Sequence, residues 1–153
     1  MDADASPVRE EVYRVAARLG VAVVVVHNGS RPIRPPGLDF VRVVIVGAGA
    51  DAADDWIAER IGAADVCVTA DIPLASRCLQ AGARALDHAG HEWTTGNIGA
   101  ALAGRDISRL RREMGLPTSN RPPMAAADRS RFLNTLDRLV QAARRAEATP
   151  RAT

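Results

Sequence analysis

The stretch that decides the fold is VVIVGAGADAADDW, Val43 to Trp56. It opens as a strand, turns through two glycines and becomes a helix carrying three aspartates. A strand that runs directly into a helix is the unit of a parallel α/β sheet. The same pattern recurs on both sides. Upstream, Ser6-Pro7 reads as an N-cap with proline at the first helical turn. Val8, Val12, Val15, Ala16 and Leu19 then follow at helical spacing up to Gly20. VAVVVV (Val21–Val26) is a continuous apolar run, as expected of a strand buried on both faces. Downstream, VCVT (Val66–Thr69) predicts a strand, Leu74–Ala81 a helix and ARAL (Ala83–Leu86) a short strand. DHAGHEW reads as a turn. Thr95 is placed as the cap of a helix near Asn97–Leu102, and a further helix is expected near Asp106–Met114. Asp128 opens a last amphipathic helix with Phe132, Leu133, Leu136, Leu139 and Val140 on one face. Strands joined through helices imply right-handed crossovers and a parallel sheet. The fold class is therefore α/β, one domain over residues 1–145, with a disordered tail at 146–153.

Composition sets further bounds. The chain has 153 residues, enough for one hydrophobic core. Aromatic residues are only 3% of it, so Val, Leu, Ile and Ala must fill that core. No apolar run reaches the roughly 18 residues of a membrane span, and no secretory pattern opens the chain. The expected location is the cytoplasm, with no membrane partner. Cys67 and Cys78 lack metal-ligand spacing and read as buried, reduced thiols. The net charge of +2 conceals −4 on residues 1–100 and +6 on residues 101–153, all of the positive charge being arginine. Such an asymmetry suits a polyanion drawn to an acidic site. It also suits solvated helix faces.

In parallel α/β sheets ligands bind beyond the carboxyl ends of the strands. Asp51 follows one such end and Asp71 another, while Asp2 and Asp4 precede the first helix. GAGADA (Gly47–Ala52) satisfies the dinucleotide pattern, with Asp71 at the distance of a ribose-binding acid. Asp51, Asp54 and Asp55 oppose that reading. They occupy the helix N-terminus where a pyrophosphate would sit. Carboxylates gathered from separate loops instead suit a hard divalent cation, Mg²⁺ or Mn²⁺, because unscreened acids repel one another. Taken singly, each acid also reads as a helix cap. DAD (Asp2–Asp4) has the D-x-D spacing of haloacid-dehalogenase-like phosphatases, but no apolar strand precedes it and the chain lacks lysine. His27, His88 and His91 show no evident constellation, and His88 and His91 fall in an expected loop with no carboxylate partner.

DADASPV, VGAGADAADDWIAER, TADIPLASRCL, NIGAAL and DRSRFLNTLDRL, in that order, make the chain resemble the bacterial YaiI/YqxD family from Asp2 to about Arg145. The family is related to PIN-like domains. The resemblance implies a PIN-like three-layer sandwich, with a mostly parallel sheet flanked by helices. It implies carboxylates that bind Mg²⁺ or Mn²⁺ and hydrolyse RNA or another nucleic acid. Carried over, Asp2, Asp51, Asp55 and Asp71 are the expected catalytic acids, with Asp4 and Asp54 as further metal ligands. Asn97 would give a polar contact, and Arg129 and Arg131 would bind nucleic acid. A non-catalytic RNA- or protein-binding module is the alternative expectation. Two departures stand out. The family places an apolar strand before this first motif, whereas the sequence here begins Met1-Asp2; a misplaced start or a truncated, inactive protein would each account for it. The family's cysteine in that motif is Ser6, which argues against a catalytic thiol.

Overall fold

The computed structural model describes residues 1, 8–29, 36–47, 49, 51–104 and 126–148. They form α1 (Arg9–Leu19), β1 (Val23–His27), β2 (Val41–Ile45), α2 (Ala52–Arg60), β3 (Val66–Val68) and α3 (Ile72–Gln80). β4 (Arg84–Leu86) and β5 (Glu92–Trp93) follow. Next come α4, helical over the described residues 98–104, and α5 (Ala126–Ala148). The helix expected near Asp106–Met114, like Ser6, Asp2 and Asp4, lies outside the described residues. α5 continues through Ala148, past the expected ordered end at Arg145.

β1 begins two residues later than the apolar run because Val21 belongs to the end of α1. Gly20 takes a left-handed conformation (φ 69°), and its N–H and that of Val21 both donate to the Ala16 carbonyl. This closes the helix and commits Val21 to the turn. β1 and β2 pair in parallel, as do β3 and β4. β5 runs antiparallel to β4, within the stretch read from sequence as a turn. Two residues are too few to show an alternating pattern.

Side chains alternate between two cores. Val23, Val25, Val68 and Leu86 face α1 and α5, packing with Val12, Phe132 and Leu136 among others. Val26, Cys67 and Ala85 face the other way, with Ile57, Leu74 and Cys78 of α2 and α3. This gives three layers, helices–sheet–helices, with a mostly parallel sheet. Cys67 and Cys78 are both buried, and no disulfide joins them. Hydrogen bonding to Cys67 pulls the Cys78 thiol below its ordinary pKa.

The middle layer is interrupted. The β1–β2 pair and the β3–β4–β5 group are separate sheets. Between them lies a cleft of about 620 Å³, lined by Val24 and Val26 on one side and Val66 and Val68 on the other.

α1 and α5 are joined at the surface by the Arg18–Asp137 ion pair, and Arg144 donates to the Leu19 carbonyl. Hydrogen bonds from Arg18 and then Gln141 hold the Asp137 carboxyl below its usual pKa. A lowered carboxyl pKa contributes stability above the unfolded value of about 3.9, and that stability is lost as pH falls through the folded value. Because exposed pairs contribute about 0–1 kcal/mol, the effect is small. Arg18→Ala should lower the melting temperature slightly at pH 7 and leave it unchanged near pH 2, compared by thermal scans at both. An equal loss at both pH values would assign Arg18 a packing role instead.

Candidate functional site

Thr69, the residue after β3, is fully buried. Its hydroxyl oxygen accepts from the Asp71 N–H at 3.0 Å. That bond sets Asp71 in extended backbone as the N-cap of α3, where its Oδ1 accepts from the Leu74 N–H at 2.9 Å. Pro73 in the first turn needs no donor partner there. α3 therefore starts at Ile72, earlier than the apolar pattern indicated. Asp71 is half-buried, and its Oδ2 has no hydrogen-bond partner among the described residues. Removing the cap with Asp71→Ala should cost about 1 kcal/mol, read from urea unfolding. A neutral result would show that the bond does not hold the helix.

Asp51 stands at the N-cap of α2 but makes no side-chain cap bond, and it is exposed. Asp54 and Asp55 fill the first turn of α2. This retains the objection to a pyrophosphate at that helix end. Asp55 does not act as a free carboxylate: its Oδ1 takes a hydrogen bond of 2.7 Å from Arg77 of α3. That bond, reinforced by the charges of Asp55, Asp54 and Glu59, raises the Arg77 pKa.

The six predicted ligands are thus not assembled alike. Asp51 and Asp71 are available as hard oxygen donors, which suits Mg²⁺ or Mn²⁺. Asp55 shares Oδ1 with Arg77 in an exposed ion pair. Among the described residues no three His, Cys, Asp or Glu side chains group as a metal site.

Asn97 serves the local chain. Its Oδ1 accepts from the Thr94 N–H at 2.8 Å and its Nδ2 donates to the Glu92 carbonyl at 2.9 Å. Thr94, not Thr95, is the capping hydroxyl, accepting from the Asn97 N–H at 3.2 Å. The reciprocal bonds require residues three apart, and Thr95 is too close to form them. Arg129 is exposed on α5. Arg131 is an exposed residue too, but it bonds Asp128 at 3.4 Å and approaches His91 Nε2 at 3.3 Å.

That last contact belongs to a constellation the sequence reading missed. His91 does have a carboxylate partner. Asp87, buried directly after β4, accepts from the N–H groups of Ala89 and His91 through Oδ1, both at 2.9 Å. Its Oδ2 lies 3.1 Å from His91 Nδ1. With the Nδ1 proton directed at Asp87, Nε2 is the acceptor for Arg131. The signal was present in DHAGH, an aspartate four residues before a histidine. His27, at the end of β1, is also buried, with Nδ1 accepting from the Gly29 N–H at 3.1 Å.

No helix among the described residues is long and apolar enough to cross a membrane. No solved structure is similar to the chain. The family model described as "Uncharacterized BCR, YaiI/YqxD family" matches residues 1–142. A UPF0178 protein of Parvibaculum lavamentivorans is 50% identical over 145 residues, covering 95% of this chain and 94% of the relative. Those of Rhodospirillum centenum and Caulobacter sp. (strain K31) are 49% and 50% identical, each across 95% of this chain and 96% and 95% of theirs. Matched by the family model over nearly its whole length and half identical to these relatives, the chain belongs to the YaiI/YqxD family.

Proposed function

We propose that the protein hydrolyses phosphodiester bonds in RNA, at the carboxyl ends of β2 and β3, with Mg²⁺ or Mn²⁺ as cofactor. The observation that carries this reading is Asp71. It is fixed by its own cap bond in the short turn that leads from β3 into α3, with Oδ2 uncommitted among the described residues. That is the end of a parallel sheet where ligands collect. Asp51, after β2, is the second donor, and Asp2 and Asp4 are assigned as the remaining ones. Asp54 supports them through its charge. Asp55 moves from the predicted catalytic set to a positioning role, holding α2 against α3 through Arg77. A bound divalent cation would lower the pKa of a water and screen the phosphate charge. Arg129 would contribute to holding the polyanion, as arginine pairs well with phosphate.

The test is Mn²⁺-dependent cleavage of a labelled mixed-sequence RNA by the full chain and by Asp71→Asn. Asparagine keeps an oxygen for the Leu74 N–H, so the helix cap survives. Cleavage should fall by at least about 100-fold while the melting temperature stays within a few degrees. Cleavage that persists in Asp71→Asn would refute the assignment. RNA binding without cleavage, lost in Arg129→Ala, would favour a non-catalytic RNA-binding module, the reading suited to the exposed arginines of α5.

A further inference from the structure

The turn after β4 holds one imidazole in a set orientation at the surface. The Asp87 N–H donates to the His91 carbonyl at 3.0 Å, and the Gly90 N–H donates to the Asp87 carbonyl at 3.2 Å. Asp87 Oδ1 takes the N–H groups of Ala89 and His91, which leaves Oδ2 for His91 Nδ1. The turn is docked on α5, where the Thr135 hydroxyl donates to the Gly90 carbonyl. The His91 side chain is 60% exposed, whereas that of Asp87 is only 4% exposed. A buried carboxylate beneath the ring and solvent above it fix the Nδ1–H tautomer and turn the Nε2 lone pair outward. Little ordering of His91 remains to be done when a ligand arrives.

Arg131 stands beside that lone pair. Its NH1 group lies 3.3 Å from His91 Nε2 and 3.4 Å from Asp128 Oδ1. Its NH2 group has no hydrogen-bond partner among the described residues. The surface therefore offers an acceptor and a donor side by side, with a second donor next to them. A simple anion fits the arginine but is repelled by the Nε2 lone pair. A cation fits Nε2 but is repelled by the guanidinium. A hydroxyl fits both, because it donates one hydrogen bond and accepts another. A phosphate adjoining that hydroxyl would take the spare edge of the guanidinium. Ribose in a nucleic acid carries this pair, a 2′-hydroxyl next to the 3′-phosphate, and deoxyribose does not.

We propose that His91 and Arg131 form a ribonucleotide subsite, in which Nε2 accepts a hydrogen bond from the 2′-hydroxyl and Arg131 holds the adjoining phosphate. The subsite rests on the RNA reading above and adds the group that tells RNA from DNA. Asp87 is a positioning residue, acting on the RNA only through His91. The location agrees with the proposed acids. β3 and β4 pair in parallel, and the Thr69 N–H donates to the Leu86 carbonyl. Asp71 and Asp87 thus follow the same end of one sheet, the end where ligands collect.

The experiment measures binding of the full chain to three short single strands of one sequence in EDTA, where no divalent-ion reaction consumes them. The strands are RNA, DNA, and RNA with fluorine in place of each 2′-hydroxyl, which keeps the ribose pucker but has no proton to donate. RNA should bind about 10-fold more tightly than either of the others, the effect of one well-placed hydrogen bond. His91→Ala should erase that margin. Nitrogen NMR shifts of the His91 ring should show the Nδ1–H form in the free protein, a signature that a merely structural Asp87 would not set. Equal affinity for the three strands, a margin that survives His91→Ala, or a ring carrying its proton on Nε2 would each overturn the subsite and leave RNA hydrolysis standing. Failure of all three strands to bind would overturn the RNA reading along with it.

Discussion

Gly90→Ala is expected to destabilise the protein by about 3 kcal/mol, from two costs acting together. Gly90 ends the turn that Asp87 organises, with φ at +83°. An L side chain in the left-handed region costs about 1 kcal/mol or more. The second cost is steric. A Cβ here would lie 2.5 Å from the Phe132 nitrogen and 2.6 and 2.7 Å from the Arg131 carbonyl carbon and oxygen. These are backbone atoms of α5, so a side chain cannot swing away to relieve the clash. The helix or the turn must move, and overpacking of this kind costs roughly 1–3 kcal/mol. The same contact places the Gly90 carbonyl 2.7 Å from the Thr135 hydroxyl that donates to it, so a shift also loses that bond. For a chain of this size the melting temperature should fall by about 6–12 °C. Gly82→Ala is the control. Gly82 has φ +85°, but its nearest obstacle is the Ala63 Cβ at 3.8 Å. It should show the conformational cost alone. Equal losses in the two variants, measured by thermal circular dichroism, would remove the close approach of α5 from the account.

Phe132→Ala should cost about 3–5 kcal/mol. Phe132 is fully buried and is the largest side chain that α5 contributes to the core it shares with α1, β1, β3 and β4. Truncation loses its apolar burial and leaves a hole that the short side chains around it cannot close. Val12, Val15, Val25 and Val68 are β-branched and stiff, so they relax poorly into new space. Leu133→Ala, one residue on and half-buried, should cost clearly less. A urea titration of the two variants decides the point. If Phe132→Ala costs no more than Leu133→Ala, α5 is not anchored through this face.

Much of the architecture was legible because its causes are local. Apolar runs bounded by glycines marked β1 and β2. Gly20 and Asp71 marked helix ends, and the spacing of Phe132, Leu136 and Leu139 marked the buried face of α5. The family was legible too, from motifs kept in order along the chain. What the sequence left open concerns groups that meet only after folding. The pairing of Asp55 with Arg77 depends on α3 packing beside α2. His91 read as isolated because the partnership with Asp87 depends on the turn closing at Gly90.

The sequence by itself determined that alternating strands and helices build a parallel α/β layer with acids at its strand ends, because hydrophobic period and capping chemistry act over a few residues. Tertiary structure decided that Asp55 meets Arg77, where β5 pairs and that the sheet opens between β1 and β3. Those outcomes depend on distances between segments remote in the chain, which no local pattern encodes.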